Sequence, residues 1–114
     1  MYLGLASIFL ILAALVGTNP LWQLIRKLPA KMKFVWIHGS LAFIGMSFMV
    51  LHATSSPRPT PWFAFMVLLI TFFGGVGLFA LRRMKAPIPA GIALIHPLAA
   101  VVGLVLLFSA MFGN

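Results

Sequence analysis

Three histidines are the side chains of this 114-residue chain with ligand or proton chemistry near neutral pH. His38 and His52 lie in residues 35–53, VWIHGSLAFIGMSFMVLHA, a stretch with no charged residue. About 20 apolar residues cross a bilayer, so this stretch has the length of one span. An ionisable residue inside such a span is a functional candidate by default. His38, Ala42 and Gly45 fall on one helical face at i, i+4 and i+7, and His96, Ala100 and Gly103 repeat the pattern. An imidazole beside a lane of small residues can accept a flat, bulky partner.

Composition removes most alternatives. The chain is 63% hydrophobic and 7% charged, which places it among membrane proteins. With no Asp or Glu there is no paired-carboxylate hydrolysis, no Ser-His-Asp triad, no Glu-rich di-metal site and no acidic proton relay. With no Cys there is no disulfide, no Fe–S cluster and no covalent c-type haem attachment. The net charge of +8 comes from basic residues flanking apolar spans, so topology and anionic lipid account for it, and nucleic acid is not an expected partner. The first span lacks a basic n-region, because no Lys or Arg precedes Arg26, and it is expected to be a retained helix rather than a signal peptide.

Two imidazoles at equal depth, each beside small residues, suit a b-type haem with both axial positions filled. His38 and His96 are the expected iron ligands, with Ala42, Gly45, Ala100 and Gly103 making room for the porphyrin edge. Phe34, Trp36, Phe43 and Phe48 could pack its rim, and Arg26, Lys33, Arg82 and Arg83 could meet its propionates. Zinc fits less well, since two histidines without Cys, Asp or Glu leave a tetrahedral site half empty. His52, near the end of its span, is expected to be an interfacial side chain in reach of water. A second haem site or proton exchange is its functional alternative. For every histidine the competing role is a hydrogen-bonded packing residue, and small residues at helical spacing are also common helix–helix contacts.

These residues need four helices to hold them. The expected spans are residues 2–25, 35–53, 62–81 and 90–112, forming an all-α, four-transmembrane-helix bundle in a single domain over 1–114. Pro20 is expected to kink or end the first span. A basic loop at 26–33, a Pro-rich turn at 54–61 and a short turn at 86–89 connect the spans. Seven of the eight Lys/Arg fall in or beside the first and third loops, against Arg58 alone in the second. Lys/Arg-rich short loops stay in the cytoplasm, so both termini are expected on the periplasmic side of a bacterial inner membrane. Spans two and four then run parallel, with His38 and His96 at one depth. His52 lies fourteen residues from His38, about 21 Å along the helix.

An internal repeat supports the pairing. Shifted by 58 positions, the halves align without a gap: Gly17 with Gly75, Lys27 with Lys85, Pro29 with Pro87, Ile37-His38 with Ile95-His96, Ala42 with Ala100, and Gly45 with Gly103. Two repeated helical hairpins in parallel orientation imply a pseudo-two-fold axis along the membrane normal. His52 aligns with Ala110 and has no counterpart.

Four membrane helices with histidines across the bundle resemble the cytochrome b561-type and other small membrane-bound b-type cytochromes. The spacing of His38 and His52 is also similar to the paired ligands in cytochrome b of the bc1 complex. The resemblance covers helix count and histidine placement. The chain departs from the two-haem pattern, because its fourth helix supplies only His96. A second haem at His52 would need a ligand from another chain. The resemblance implies electron exchange with quinone or superoxide on one side and a partner on the other. The resulting expectation is an electron carrier with one haem b per chain, as a carrier or oxidoreductase subunit, with quinone, a larger membrane complex or a second copy as partners besides the bilayer. The alternative is a non-catalytic subunit of a respiratory or photosynthetic complex. A small transporter would want a polar path, and the spans offer little beyond Ser7, Ser40, Ser47, Thr71 and Ser109.

Overall fold

The computed structural model describes residues 1–113. Among them are four helices, α1 (Tyr2–Ile25), α2 (Met32–Ser55), α3 (Trp62–Arg83) and α4 (Ala90–Phe112). Each is long and apolar enough to cross a membrane. At 1.5 Å per residue they are about 33–36 Å long, enough for a hydrocarbon core of about 30 Å. Only 17–22% of each span is buried within the bundle. The remaining apolar surface, with Leu15, Phe63, Ile70 and Leu98 among its large exposed side chains, needs lipid around it. The chain is an integral membrane protein.

α1 and α4 keep their expected bounds, while α2 and α3 are longer than expected. α1 does not end at Pro20 but runs through it to Ile25, because a proline costs a helix one N–H and the turns on either side hold. α2 starts at Met32, so Lys33 lies in its first turn and the basic loop shortens to 26–31. α3 continues to Arg83, which places Arg82 and Arg83 in its last turn, where cations suit the helix dipole.

The helices form a ring in chain order. α1 packs on α2 and α3 on α4, with lighter contacts between α1 and α4 and between α2 and α3. The backbones of α1 and α3, and of α2 and α4, stay apart on the diagonals.

The repeat is visible in detail. Leu10 fills the space beside Gly45, and its repeat mate Leu68 fills the space beside Gly103. The core cluster contains the pairs Ala6 and Ala64, Leu10 and Leu68, and Met49 and Leu107, each separated by 58. α1 and α3 also end alike. Lys27 and Lys85 adopt left-handed backbone, φ 55° and 54°. Lys27 N–H donates to Leu24 O and Leu28 N–H to Gln23 O, while Lys85 N–H donates to Arg82 O and Ala86 N–H to Leu81 O. That is a Schellman ending, with lysine where glycine is usual.

A Cβ on Gly45 would stand 2.7 Å from Leu10 Cγ, and one on Gly103 would stand 2.8 Å from Leu68 Cγ. The branch point of a buried leucine cannot swing aside as a flexible chain end can. Gly45→Ala and Gly103→Ala are each expected to cost about 1–3 kcal/mol through overpacking. Gly77→Ala, with nothing within 4 Å of its Cβ, is the control. Thermal unfolding in detergent checks this: a Gly45→Ala protein melting at or above the control contradicts the packing account.

Candidate functional site: a histidine pair in an apolar cleft

His38 is the seventh residue of α2 (38 − 32 + 1) and His96 the seventh of α4 (96 − 90 + 1). Both lie about 9 Å from the start of their helix. The two rings meet across the α2–α4 diagonal, with centroids 6.1 Å apart and planes at 83°.

Glycines on the other two helices make room for the rings. A Cβ on Gly17 of α1 would stand 2.8 Å from His38 Cε1 and Nδ1, and a Cβ on Gly75 of α3 would stand 2.9 Å from His96 Cε1. Gly17 and Gly75 are therefore the small residues against the imidazoles. Their signal in the sequence was the repeat itself, which aligns them. Gly45 and Gly103 lie elsewhere, occupied by the hairpin packing of Leu10 and Leu68. Ala42 and Ala100 do line the space beside the histidines.

That space is a cleft of about 810 Å³. It reaches from the histidine pair to Leu24 and Arg82, at the end of the bundle that carries the basic loops. A smaller void of about 60 Å³ continues past the pair, toward Leu10, Met46 and Leu68. Open volume thus lies on both sides of the two rings. Trp36 and Phe43 of α2 line the cleft, paired edge-on or tilted with Phe79 and Phe72 of α3 at 5.2 and 6.4 Å. Phe34 and Phe48 are engaged elsewhere: Lys33 Nζ lies 5.2 Å from the Phe34 ring, and Phe48 stacks with Tyr2 and Phe9. Phe72 and Phe79 replace them, and no periodicity singled them out within a span rich in phenylalanine.

Of the four candidate cations, Arg82 lines the cleft. Its Nη2 donates to Pro20 O at 3.3 Å, spanning the α1–α3 diagonal at the mouth. Arg26 lies over Trp22, Lys33 over Phe34, and Arg83 is exposed.

The two imidazoles are held differently. His38 Nδ1 lies 2.6 Å from Ala13 O. A carbonyl only accepts, so Nδ1 carries the proton and the neutral ring keeps its lone pair on Nε2. An imidazole fixed in this way by its outer nitrogen is prepared to bind a metal through the inner one. The repeat mate of Ala13 is Thr71 (13 + 58), whose backbone makes no hydrogen bond to His96 Nδ1. His96 Nδ1 is buried and has no partner. A buried polar atom left so costs about 1–3 kcal/mol.

His52 is buried within the chain rather than in reach of water. It is 3% exposed, and its Nε2–H donates to Pro59 O at 3.1 Å. α2 extends three residues past it to Ser55, which carries the helix end, rather than the histidine, to the surface. The ring ties the Pro-rich turn between α2 and α3 to the bundle, so the packing role describes it. Removing it leaves the Pro59 carbonyl unsatisfied. His52→Ala is expected to lower stability by about 1–3 kcal/mol while leaving the His38/His96 cleft intact. Denaturation in detergent measures the first effect, and the absorbance of any cleft-bound chromophore measures the second.

Compared with known proteins, the chain matches no family model, no curated protein and no solved structure, so the reading of this site rests on its own geometry.

Proposed function

We propose that this protein is a membrane b-type cytochrome, carrying electrons through one haem held between His38 and His96. The observation that carries the reading is the separation of the two rings, 6.1 Å between centroids. Two imidazoles sharing one metal, each bonded at about 2.0 Å, stand roughly 6 Å apart by centroid. Two ligands alone leave most metals under-coordinated, whereas a metal inside a macrocycle needs two more. The open volume on both sides of the pair suits a flat group passing between the rings. At about 810 Å³ the cleft is within the range of cofactor pockets. When bound, haem supplies reversible one-electron chemistry at its iron.

The chain's own residues then have defined tasks. His38 presents Nε2, with its tautomer set by Ala13 O. Ala42, Ala100, Gly17 and Gly75 keep side chains out of the plane between the helices. The Trp36–Phe79 and Phe43–Phe72 pairs close the α2–α3 side against lipid and water. Arg82 offers a guanidinium at the mouth, where a carboxylate would compete with Pro20 O for it. With His38 and His96 both holding the group, the site would favour electron transfer over activation of small molecules. Quinone is the proposed exchange partner within the bilayer. With no Asp or Glu in the chain, its protons would come from water.

A reduced-minus-oxidised spectrum of the purified protein tests the reading. Sharp α-band absorption at one haem per chain is expected. A featureless spectrum from protein made with ample haem supports the alternative, an accessory subunit of a larger membrane complex with structural histidines.

The proposed orientation puts the basic loops in the cytoplasm and both termini in the periplasm of a bacterial inner membrane. Ala30→Cys and Ala86→Cys are expected to react only with a membrane-permeant thiol reagent in intact cells. Labelling by an impermeant reagent reverses the orientation and leaves the histidine pairing untouched.

A further inference from the structure

We infer that the two histidines are unequal ligands: His38 is the anchored one, and His96 is the exchangeable one, open to replacement by a small neutral ligand such as carbon monoxide. The inference rests on the haem reading and deepens it.

Two differences between otherwise matched halves carry it. The first is the outer nitrogen. His38 Nδ1 is bonded to Ala13 O at 2.6 Å, whereas His96 Nδ1 is buried without a partner. A carbonyl on the outer nitrogen fixes the ring's orientation and raises the basicity of the inner nitrogen, and loss of such a partner typically weakens metal affinity 10–100-fold. The second is the backbone. Pro97 follows His96, where Gly39 follows His38. Pro97 has no N–H to give to Ala93 O, so α4 lacks a rung beside its histidine that α2 retains. Ala93 and Pro97 line the cleft as their repeat mates Val35 and Gly39 do, so space is common to both halves and the missing rung is what loosens α4 beside it.

A ligand held by its metal bond alone leaves more readily than one also held by the protein. Carbon monoxide would take the place that His96 leaves, with no change of oxidation state.

The experiment compares His38→Gly with His96→Gly in the full-length protein. Haem per chain, spin state and the spectrum of the carbon monoxide adduct are the readouts. His96→Gly is expected to keep haem near the wild-type level in a high-spin, five-coordinate form, and added imidazole should return it to low spin. His38→Gly is expected to hold 10–100-fold less haem, beyond rescue by imidazole. Reduced wild type should take up carbon monoxide slowly and give the same adduct spectrum as His96→Gly. Helical circular dichroism monitors folding. Should a glycine variant unfold, His38→Gln and His96→Gln, which keep side-chain volume, are judged by the same readouts. Equal haem loss in both variants, or greater loss from His96→Gly, overturns the inference while the cytochrome reading stands. Wild type without haem overturns the cytochrome reading, and this inference with it.

Discussion

His38→Ala is expected to remove low-spin haem almost completely, with haem per chain falling at least tenfold and the α-band lost. Two losses combine. On the proposed haem reading, the iron would lose a ligand whose lone pair is presented on Nε2, and the site loses the one imidazole whose orientation the protein fixes through Ala13 O at 2.6 Å. The fold should survive. His38 is half-buried beside a cleft, and its truncation enlarges open volume rather than opening a void in the packed core around Met49 and Leu107. His96→Ala should abolish the low-spin signature as well, while leaving pentacoordinate haem in place. Circular dichroism and pyridine-haemochrome assay of the same samples separate folding from loading. A folded His38→Ala protein with a wild-type spectrum would show that the iron, if present, is held elsewhere.

Gly17→Ala should mimic that loss without touching a histidine. The added methyl would stand 2.8 Å from both Cε1 and Nδ1 of His38, inside any tolerable contact. An imidazole has no flexible end to fold away, so the whole ring must move, and it cannot move without breaking the bond to Ala13 O. The matched change, Gly75→Ala, places a methyl 2.9 Å from His96 Cε1. That ring has no hydrogen bond to break. Gly17→Ala is therefore expected to lower haem occupancy about tenfold, and Gly75→Ala only a few-fold, although alanine improves the helix propensity of both. Haem titration into the purified apoproteins gives both numbers. Equal occupancy in the two variants would mean that the Ala13 bond contributes nothing to holding the site.

Much of this was legible in the chain, for identifiable reasons. Apolar runs of membrane length, punctuated by Pro and Lys/Arg, fixed four helices, because few other structures satisfy a backbone in lipid. The 58-residue shift paired His38 with His96, because matched His, Lys, Pro and Gly are rarer than matched Leu. What stayed hidden were contacts between residues distant in sequence. Gly45 and Gly103 share a helical face with the histidines, yet seven residues is two turns, or about 10 Å, and at that height the partner helix presents Leu10 and Leu68. Gly17 and Gly75 approach the rings from neighbouring helices, which no periodicity within α2 or α4 can report. His52 was misplaced by a span boundary: with α2 ending at Ser55, Pro59 folds back over the ring. Arg82 was one of four equivalent cations until helix α3 was seen to carry it, rather than Arg83, over the mouth.

Each hairpin carries its own histidine together with the glycine that seats it: Gly17 and His38 in α1–α2, Gly75 and His96 in α3–α4. Contacts between the hairpins are lighter than those within them. This has a consequence for biogenesis. Either half can enter the bilayer and fold as it emerges, with its imidazole already in place, and neither alone encloses the cleft. The cleft arises only when the second hairpin docks, which would make the proposed cofactor a late addition that joins the halves. Cutting the chain in the 56–61 turn and producing the two pieces together should still yield a whole bundle, one whose halves hold together more firmly once loaded.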